Sequence, residues 1–123
     1  MREMHMTCSL IVGRGMDEDC ALITDGRFSG STRGPCIGHI SPEAAAGGPI
    51  AAVEEGDEII IDIPNRTLTL CVSEEELNRR LQNIQPVHKP ATPALARYAA
   101  LVTSADQGAV LKLPGEAKPA SPV

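Results

Sequence analysis

The sequence predicts an α/β fold, and three observations carry that expectation. Short runs of β-type composition at residues 20–24, 50–53, 58–63 and 67–72 are interleaved with helix signatures at 1–12, 41–48, 73–84 and 94–102. Sharp punctuation by Gly, Pro and Asp separates them, as in a domain of short elements. Aromatic residues are only 2% of the 123 residues, Phe28 and Tyr98 with no tryptophan, so the core must be aliphatic. A chain of this length is one domain or part of one, able to bury roughly two-thirds of its unfolded surface.

Residues 1–12 read as a helix with Met4, Cys8, Ile11 and Val12 on one face, broken by Gly13-Arg14-Gly15. Taken on residue type alone, Glu3 is a solvated first-turn acid that suits the positive helix end. Met16-Asp17-Glu18-Asp19 is a polar connector, and residues 20–24 form a buried strand. Then comes Thr24-Asp25-Gly26-Arg27-Phe28-Ser29-Gly30-Ser31-Thr32-Arg33-Gly34, with three glycines, two arginines and several hydroxyls. Glycine permits positive φ and close approach, and loops at strand ends often carry function. Ser29 could be presented there at a turn, although a serine hydroxyl acts as base or nucleophile only with a metal, a base or a positive field beside it. The alternative is a glycine-rich turn that merely connects two elements.

Residues 35–40 are extended. Ser41-Pro42-Glu43 then opens a compact helix, with Ser41 at the N-cap, Pro42 first inside and Gly47 just past its end. The free N–H groups of such a start would make an anion site. His39 is read as a satisfied structural donor rather than a general base. Residues 50–53 begin a strand. Residues 58–63 and 67–72 form a hairpin around Pro64-Asn65-Arg66, with Ile59, Ile61 and Ile63 on one face and Leu68, Leu70 and Val72 alternating opposite. The acids Glu54, Glu55, Asp57, Glu58 and Asp62 lack calcium-loop spacing and are solvated charges. Ser73 and Glu76 make a capping box; Leu77, Leu81 and Ile84 form the helix stripe, and Asn78-Arg79-Arg80 faces outward. A proline-rich connector at 86–93, with His88 and Lys89, leads to a helix carrying Tyr98. Residues 1–113 are the domain and 114–123 a tail disordered by composition.

A net charge of −5 argues against nucleic acid as a partner. No apolar run approaches the roughly eighteen residues that span a membrane, and the start lacks a signal-peptide pattern. Cysteines at 8, 20, 36 and 71 show neither CxxC nor finger spacing, so reduced thiols in a cytoplasmic setting are expected. Cys20 and Cys71 are read as small core or face residues; only Cys36, just after the loop, is kept as a candidate for more. No P-loop and no Gly-x-Ser-x-Gly elbow is present.

These residues resemble the C-terminal part of the iron–sulfur dehydratase family that includes dihydroxy-acid, sugar-acid and phosphogluconate dehydratases. The resemblance rests on Met1-Arg2-Glu3-Met4, the loop from Thr24 to Gly34, and Gly38-His39-Ile40-Ser41-Pro42-Glu43-Ala44. Gly47-Gly48-Pro49-Ile50, Gly56-Asp57, Arg97-Tyr98 and Val102-Thr103-Ser104-Ala105 extend it over nearly the whole chain except the tail. Phe28 and the Gly38-His39 pair are similar to the branched-chain amino-acid pathway enzymes. The resemblance implies a swivelling-type, β-barrel-like α/β domain with short flanking helices, and removal of water from a 2,3-dihydroxy acid to give a 2-keto acid. It implies Ser29 as proton acceptor, Glu3 as a Mg²⁺ ligand, and an iron–sulfur cluster (2Fe-2S or 4Fe-4S) held by an N-terminal domain that this sequence does not include. A homodimer of the full enzyme is implied too. The chain then reads as a fragment, inactive alone. The rivals are a sugar-acid or phosphogluconate dehydratase domain and a non-catalytic binding module.

Overall fold

The computed structural model describes residues 4–84 and 92–113. Its elements run α1 (His5–Gly13), β1 (Leu22–Ile23), β2 (Cys36–Ile37), β3 (Ile59–Asp62), β4 (Thr67–Leu70), α2 (Glu74–Asn83) and α3 (Pro93–Leu101), with 3-10 turns at Ala44–Ala46, Pro49–Ala52 and Ala105–Gln107. Glu3, the connector residues His88 and Lys89, and the tail 114–123 lie outside the described residues.

The helices start where the sequence supplies caps. Ser73 Oγ accepts from the Glu76 N–H at 3.2 Å, and Thr92 Oγ1 accepts from the Leu95 N–H at 3.3 Å with Pro93 in the first turn. α1 keeps the expected face, with Cys8 buried and Ile11 and Val12 half-buried, while Met6 and Leu10 look outward.

The strands are shorter than expected. Only Leu22–Ile23 of the 20–24 run is paired, in parallel with Cys36–Ile37. The hairpin forms in the expected register, Ile59 opposite Leu70 and Ile61 opposite Leu68. Ile63 is not part of it and is exposed. The Asp62 carboxylate explains this, because it ends β3 by accepting from the Asn65 N–H at 3.0 Å and from Asn65 Nδ2 at 2.7 Å.

Four other expectations are corrected. Residues 50–53 are no strand: Pro49–Ala52 coils into a 3-10 turn whose Ala52 carbonyl accepts from Arg80 Nη1 at 3.1 Å. The 41–48 helix shrinks to Ala44–Ala46 with Glu43 at its N-cap, because Ser41 Oγ donates to the His39 carbonyl at 3.2 Å instead of capping; Gly47 ends it at φ 80° as expected. Arg80 points inward rather than outward, onto Asp57, so neither residue is a solvated face charge. Cys71 is exposed rather than packed.

Helix and small sheets together make an α/β fold, yet the described strands stand as two separate two-stranded sheets and do not close into a barrel. Cys8 and Ala52 are the buried apolar side chains among the described residues. Closing a barrel takes more strands than these, each staggered against the next. Among the described residues no helix is long and apolar enough to cross a membrane.

Candidate functional site

The glycine loop is built from its stem. Leu22 and Thr24 donate backbone N–H groups to Pro35 O at 2.8 Å and Ile37 O at 2.9 Å, and Ile40 donates to Thr24 O at 3.2 Å. His39 adds a bond to Gly26 O at 3.0 Å, which it reaches with φ 56°, so its structural contribution is made by its backbone. The Thr24 side chain folds back, Oγ1 accepting from the Gly26 N–H at 2.9 Å. These bonds zip residues 22–26 to 35–40 and leave the tip, residues 29–34, exposed to solvent.

Two further contacts fix the tip's orientation. Asp17, only 7% exposed, accepts Arg33 Nε at 2.6 Å. Gly34 sits at φ 80° directly over the Asp17 carbonyl, where any Cβ would collide, so the close approach is open to glycine alone. On the other side the Phe28 ring lies against Gly38, where an added Cβ would be 3.0 Å from Cδ2. Ser29, Gly30 and Ser31 are thereby held at the exposed end, Gly30 at φ 123° and Ser31 at φ 45°. The start of the chain joins this loop as well: the Met4 N–H donates to Arg27 O at 3.3 Å.

Beneath the loop lies a cleft of about 830 Å³, lined by Asp25, Arg27, Ser41, Glu43, Tyr98 and Lys112 among others. Two carboxylates knit its walls. Asp25 Oδ2 accepts from the Ala44 N–H at 2.9 Å, so the anion position expected at that turn is taken by the protein's own aspartate. Glu43 accepts from the Ala105 N–H and from Ser104 Oγ, both at 2.7 Å. Burial pushes the Glu43 carboxyl up, but the Ala105 amide and the Ser104 hydroxyl outweigh it and leave it below its ordinary value.

Cys36, the thiol singled out by position, donates to Arg33 O at 3.5 Å. Burial first, then its contact with Cys8, pushes its pKa up, which opposes thiolate chemistry. Among the described residues no three His, Cys, Asp or Glu side chains converge to hold a metal ion. The described residues therefore do not fit an iron–sulfur cluster.

The structure thus presents Ser29 at an exposed, stem-braced tip; Glu3 falls outside the described residues. The bracing contacts of Asp17, Asp25 and Glu43 escape the sequence reading. Asp17 and Asp25 sit in runs without periodicity, and Glu43 finds Ser104 across 61 positions, a pairing no local pattern announces.

Residues 1–109 match the family described as Dihydroxy-acid/6-phosphogluconate dehydratase C-terminal. The dihydroxy-acid dehydratase of Aquifex aeolicus is 60% identical over 113 residues, 91% of this chain and 20% of the relative. That of Clostridium novyi is 61% identical over 114 residues, 91% of this chain and 21% of the relative. The Geotalea daltonii enzyme is 62% identical over 111 residues, 89% of this chain and 20% of its own length. The chain thus spans about one-fifth of these relatives.

Proposed function

The chain belongs to the dihydroxy-acid/6-phosphogluconate dehydratase C-terminal family, and we propose that it is the proton-abstracting part of a dihydroxy-acid dehydratase. The substrate class is a 2,3-dihydroxy-3-methyl acid of branched-chain amino-acid synthesis. The reaction is loss of the C2 proton and the 3-hydroxyl as water, giving an enol that tautomerises to the 2-keto acid. Ser29 takes the C2 proton. The observation that carries this reading is the presentation of Ser29 at the tip of a loop braced by backbone bonds on one side and by Asp17–Arg33 on the other.

A serine oxygen accepts a carbon-bound proton only as an alkoxide, and an alkoxide needs positive charge nearby. Arg33 is largely neutralised by Asp17. In this reading Arg27, exposed and two residues from Ser29, supplies that charge. Glu3 supplies a hard oxygen for Mg²⁺. In support of this reading, the N–H of Met4, the residue after Glu3 in sequence, donates to the Arg27 carbonyl at 3.3 Å. The departing hydroxyl requires a Lewis acid, which the family resemblance assigns to a cluster carried by the remainder of the enzyme. Alone, this chain turns over nothing, and the barrel-like closure belongs to the assembled enzyme.

The test combines this chain with the part of the Aquifex aeolicus relative it does not cover and measures conversion of 2,3-dihydroxy-3-methylbutanoate. Ser29→Ala should lower kcat by at least about a hundredfold, the lower bound for a lost general base. Equal turnover by the parent chain and its Ser29→Ala variant removes the catalytic role. Glu3→Gln should raise the Mg²⁺ concentration needed for half-maximal activity.

A further inference from the structure

The hairpin β3–β4 and the sheet β1–β2 face an apolar cleft of about 380 Å³, lined by Ile23, Ile37, Ile50, Ile59, Leu68 and Leu70 among others. A two-stranded hairpin is marginal by itself; it gains stability from a third strand or a covering helix. Among the described residues no third strand pairs with this one, although the Leu70 carbonyl accepts from the Val72 N–H at 2.9 Å. Cys71 donates its N–H to Glu58 O at 2.9 Å, which makes Glu58 and Cys71 a hydrogen-bonded pair. Antiparallel pairs alternate, so the backbone groups of Ile59 and Ile61 on β3, and of Leu68 and Leu70 on β4, point away from the partner strand. The same four side chains share one face.

The two strands are not equally open. Ile59, Ile61 and Asp62 of β3 are half-buried, whereas Thr67, Leu68 and Thr69 of β4 are exposed. Leu68 is 39% exposed although its neighbours line the cleft. An exposed edge with outward N–H groups and an unfilled apolar face is a template for another strand.

We propose that β4 is a strand-addition edge, and that its occupant is a β-strand from the larger portion of the dehydratase, whose apolar side chains fill the cleft. The occupant follows from chain length: four-fifths of each relative lies outside this sequence, while only Cys8 and Ala52 among the described apolar side chains are buried. The proposal rests on this chain being one portion of a larger dehydratase, and it names the surface through which that portion is joined.

The test coexpresses the 123-residue chain with the uncovered portion of the Aquifex aeolicus enzyme and follows amide hydrogen exchange in the purified complex. The Leu68 and Leu70 amides should exchange at least about tenfold more slowly in the complex than in the chain alone, as expected for amides that gain strand partners. Leu68→Pro removes one outward donor without touching the hairpin's own bonds, a place where proline is tolerated. It should weaken association by about tenfold or more, since a donor and a packed side chain are lost together. Leu68→Val, which keeps both features, should bind nearly as the parent does. A complex in which Leu68 and Leu70 exchange freely overturns the docking edge and leaves the dehydratase reading standing. Protection confined to Ile59 and Ile61 also overturns it, in favour of β3. A homodimer through β4 that persists beside the larger portion replaces the proposed occupant with a second copy. No complex and no turnover sinks the dehydratase reading and this inference with it.

Discussion

Two arginine–aspartate pairs in this molecule have the same 2.6 Å separation and hold different kinds of structure. Arg33 reaches Asp17 through Nε alone, its side chain 69% exposed, and steadies the tip of an open loop. Arg80 is 12% exposed and uses its whole fork: Nη1 and Nη2 on Asp57, Nε on Glu76, and Nη1 again on the Ala52 carbonyl. It thereby joins α2 to the Pro49–Ala52 turn and to the turn that enters β3. The first pair steadies an exposed loop tip through a single contact; the second is a structural knot in which one guanidinium serves three partners. A guanidinium with several planar, satisfied bonds is hard to replace, and one with a single exposed bond is not.

Removing each arginine in turn puts that difference to the test. Arg80→Met leaves Asp57 without its main partner, takes one of two arginines from Glu76 and frees the Ala52 carbonyl, so it should lower the thermal midpoint more than Gly34→Ala, Glu43→Gln or Arg33→Gln does. Arg80→Lys should rescue little, because a single ammonium cannot serve Asp57, Glu76 and Ala52 together. A midpoint unchanged in Arg80→Met would show that the knot contributes nothing. Next in size is Gly34→Ala. Its φ of 80° disfavours any Cβ, by about 1–2 kcal/mol, and that Cβ would meet the Asp17 carbonyl. The expected result is a clear fall in stability together with loss of Asp17–Arg33, read by hydrogen exchange around residues 33–36. Gly30→Ala makes the contrast, since its added Cβ meets no atom within 4 Å and its cost is backbone strain alone.

The two regions also differ in how far the sequence announces them. The hairpin and α2 are written locally: β-branched alternation across Pro64-Asn65-Arg66, then Ser73 three residues before Glu76. Both form, the hairpin in the expected register although shorter than expected: the Asp62 cap trims Ile63, and Glu58, Cys71 and Val72 lie outside the strands. The loop's glycine-rich composition marks it only as a candidate, and it is the family resemblance that singles out Ser29. Its bracing is announced by neither, because Asp17 with Arg33 and Glu43 with Ser104 are tertiary pairs whose partners are unrelated in local pattern. The same cause misplaces Arg80, which lies among polar helix neighbours and turns inward only because Asp57 is waiting for it. Residues 50–53 fail for another reason. Their apolar character is real, but Pro49 and the Arg80-bound Ala52 carbonyl favour a tight turn over an extended strand.

Acid should separate the regions further. The Glu43 carboxyl is held below its ordinary 4.5, so the stability it contributes is complete above that value and lost as pH falls through its lower folded value. Asp57 and Glu76 work with the same sign: the Arg80 fork and the Glu54 N–H lower Asp57, and Arg79 with Arg80 brings Glu76 to about 2. The prediction is release of the Ser104–Ala105 segment on acidification below 4.5, seen as faster exchange of the Ala105 amide relative to its intrinsic rate. Glu43→Gln cannot titrate, so its Ala105 amide should be less protected at neutral pH and its protection flat with pH. An Ala105 amide whose protection stays unchanged as the parent is acidified would show that Glu43 does not hold this wall.

The smallest expected effect belongs to Arg33→Gln, and its smallness is what sets the loop apart from the knot. Only the Arg33 side of this pair is exposed, at 69%, and solvent screening there keeps its contribution on the order of 1 kcal/mol, as for a surface pair, so the thermal midpoint should move little. Asp17 then loses its charged partner while remaining 7% exposed, a position that favours a new hydrogen bond from the glutamine amide over an empty one. If the pair serves orientation rather than stability, the tip should loosen: exchange at residues 29–33 should quicken while β3, β4 and α2 keep their protection. In the assembled enzyme the same change should lower kcat modestly, through a misplaced Ser29 hydroxyl, and leave Mg²⁺ dependence untouched. A large loss of global stability would mean that Asp17–Arg33 is a second structural knot, and the division between a braced tip and a locked core would fall.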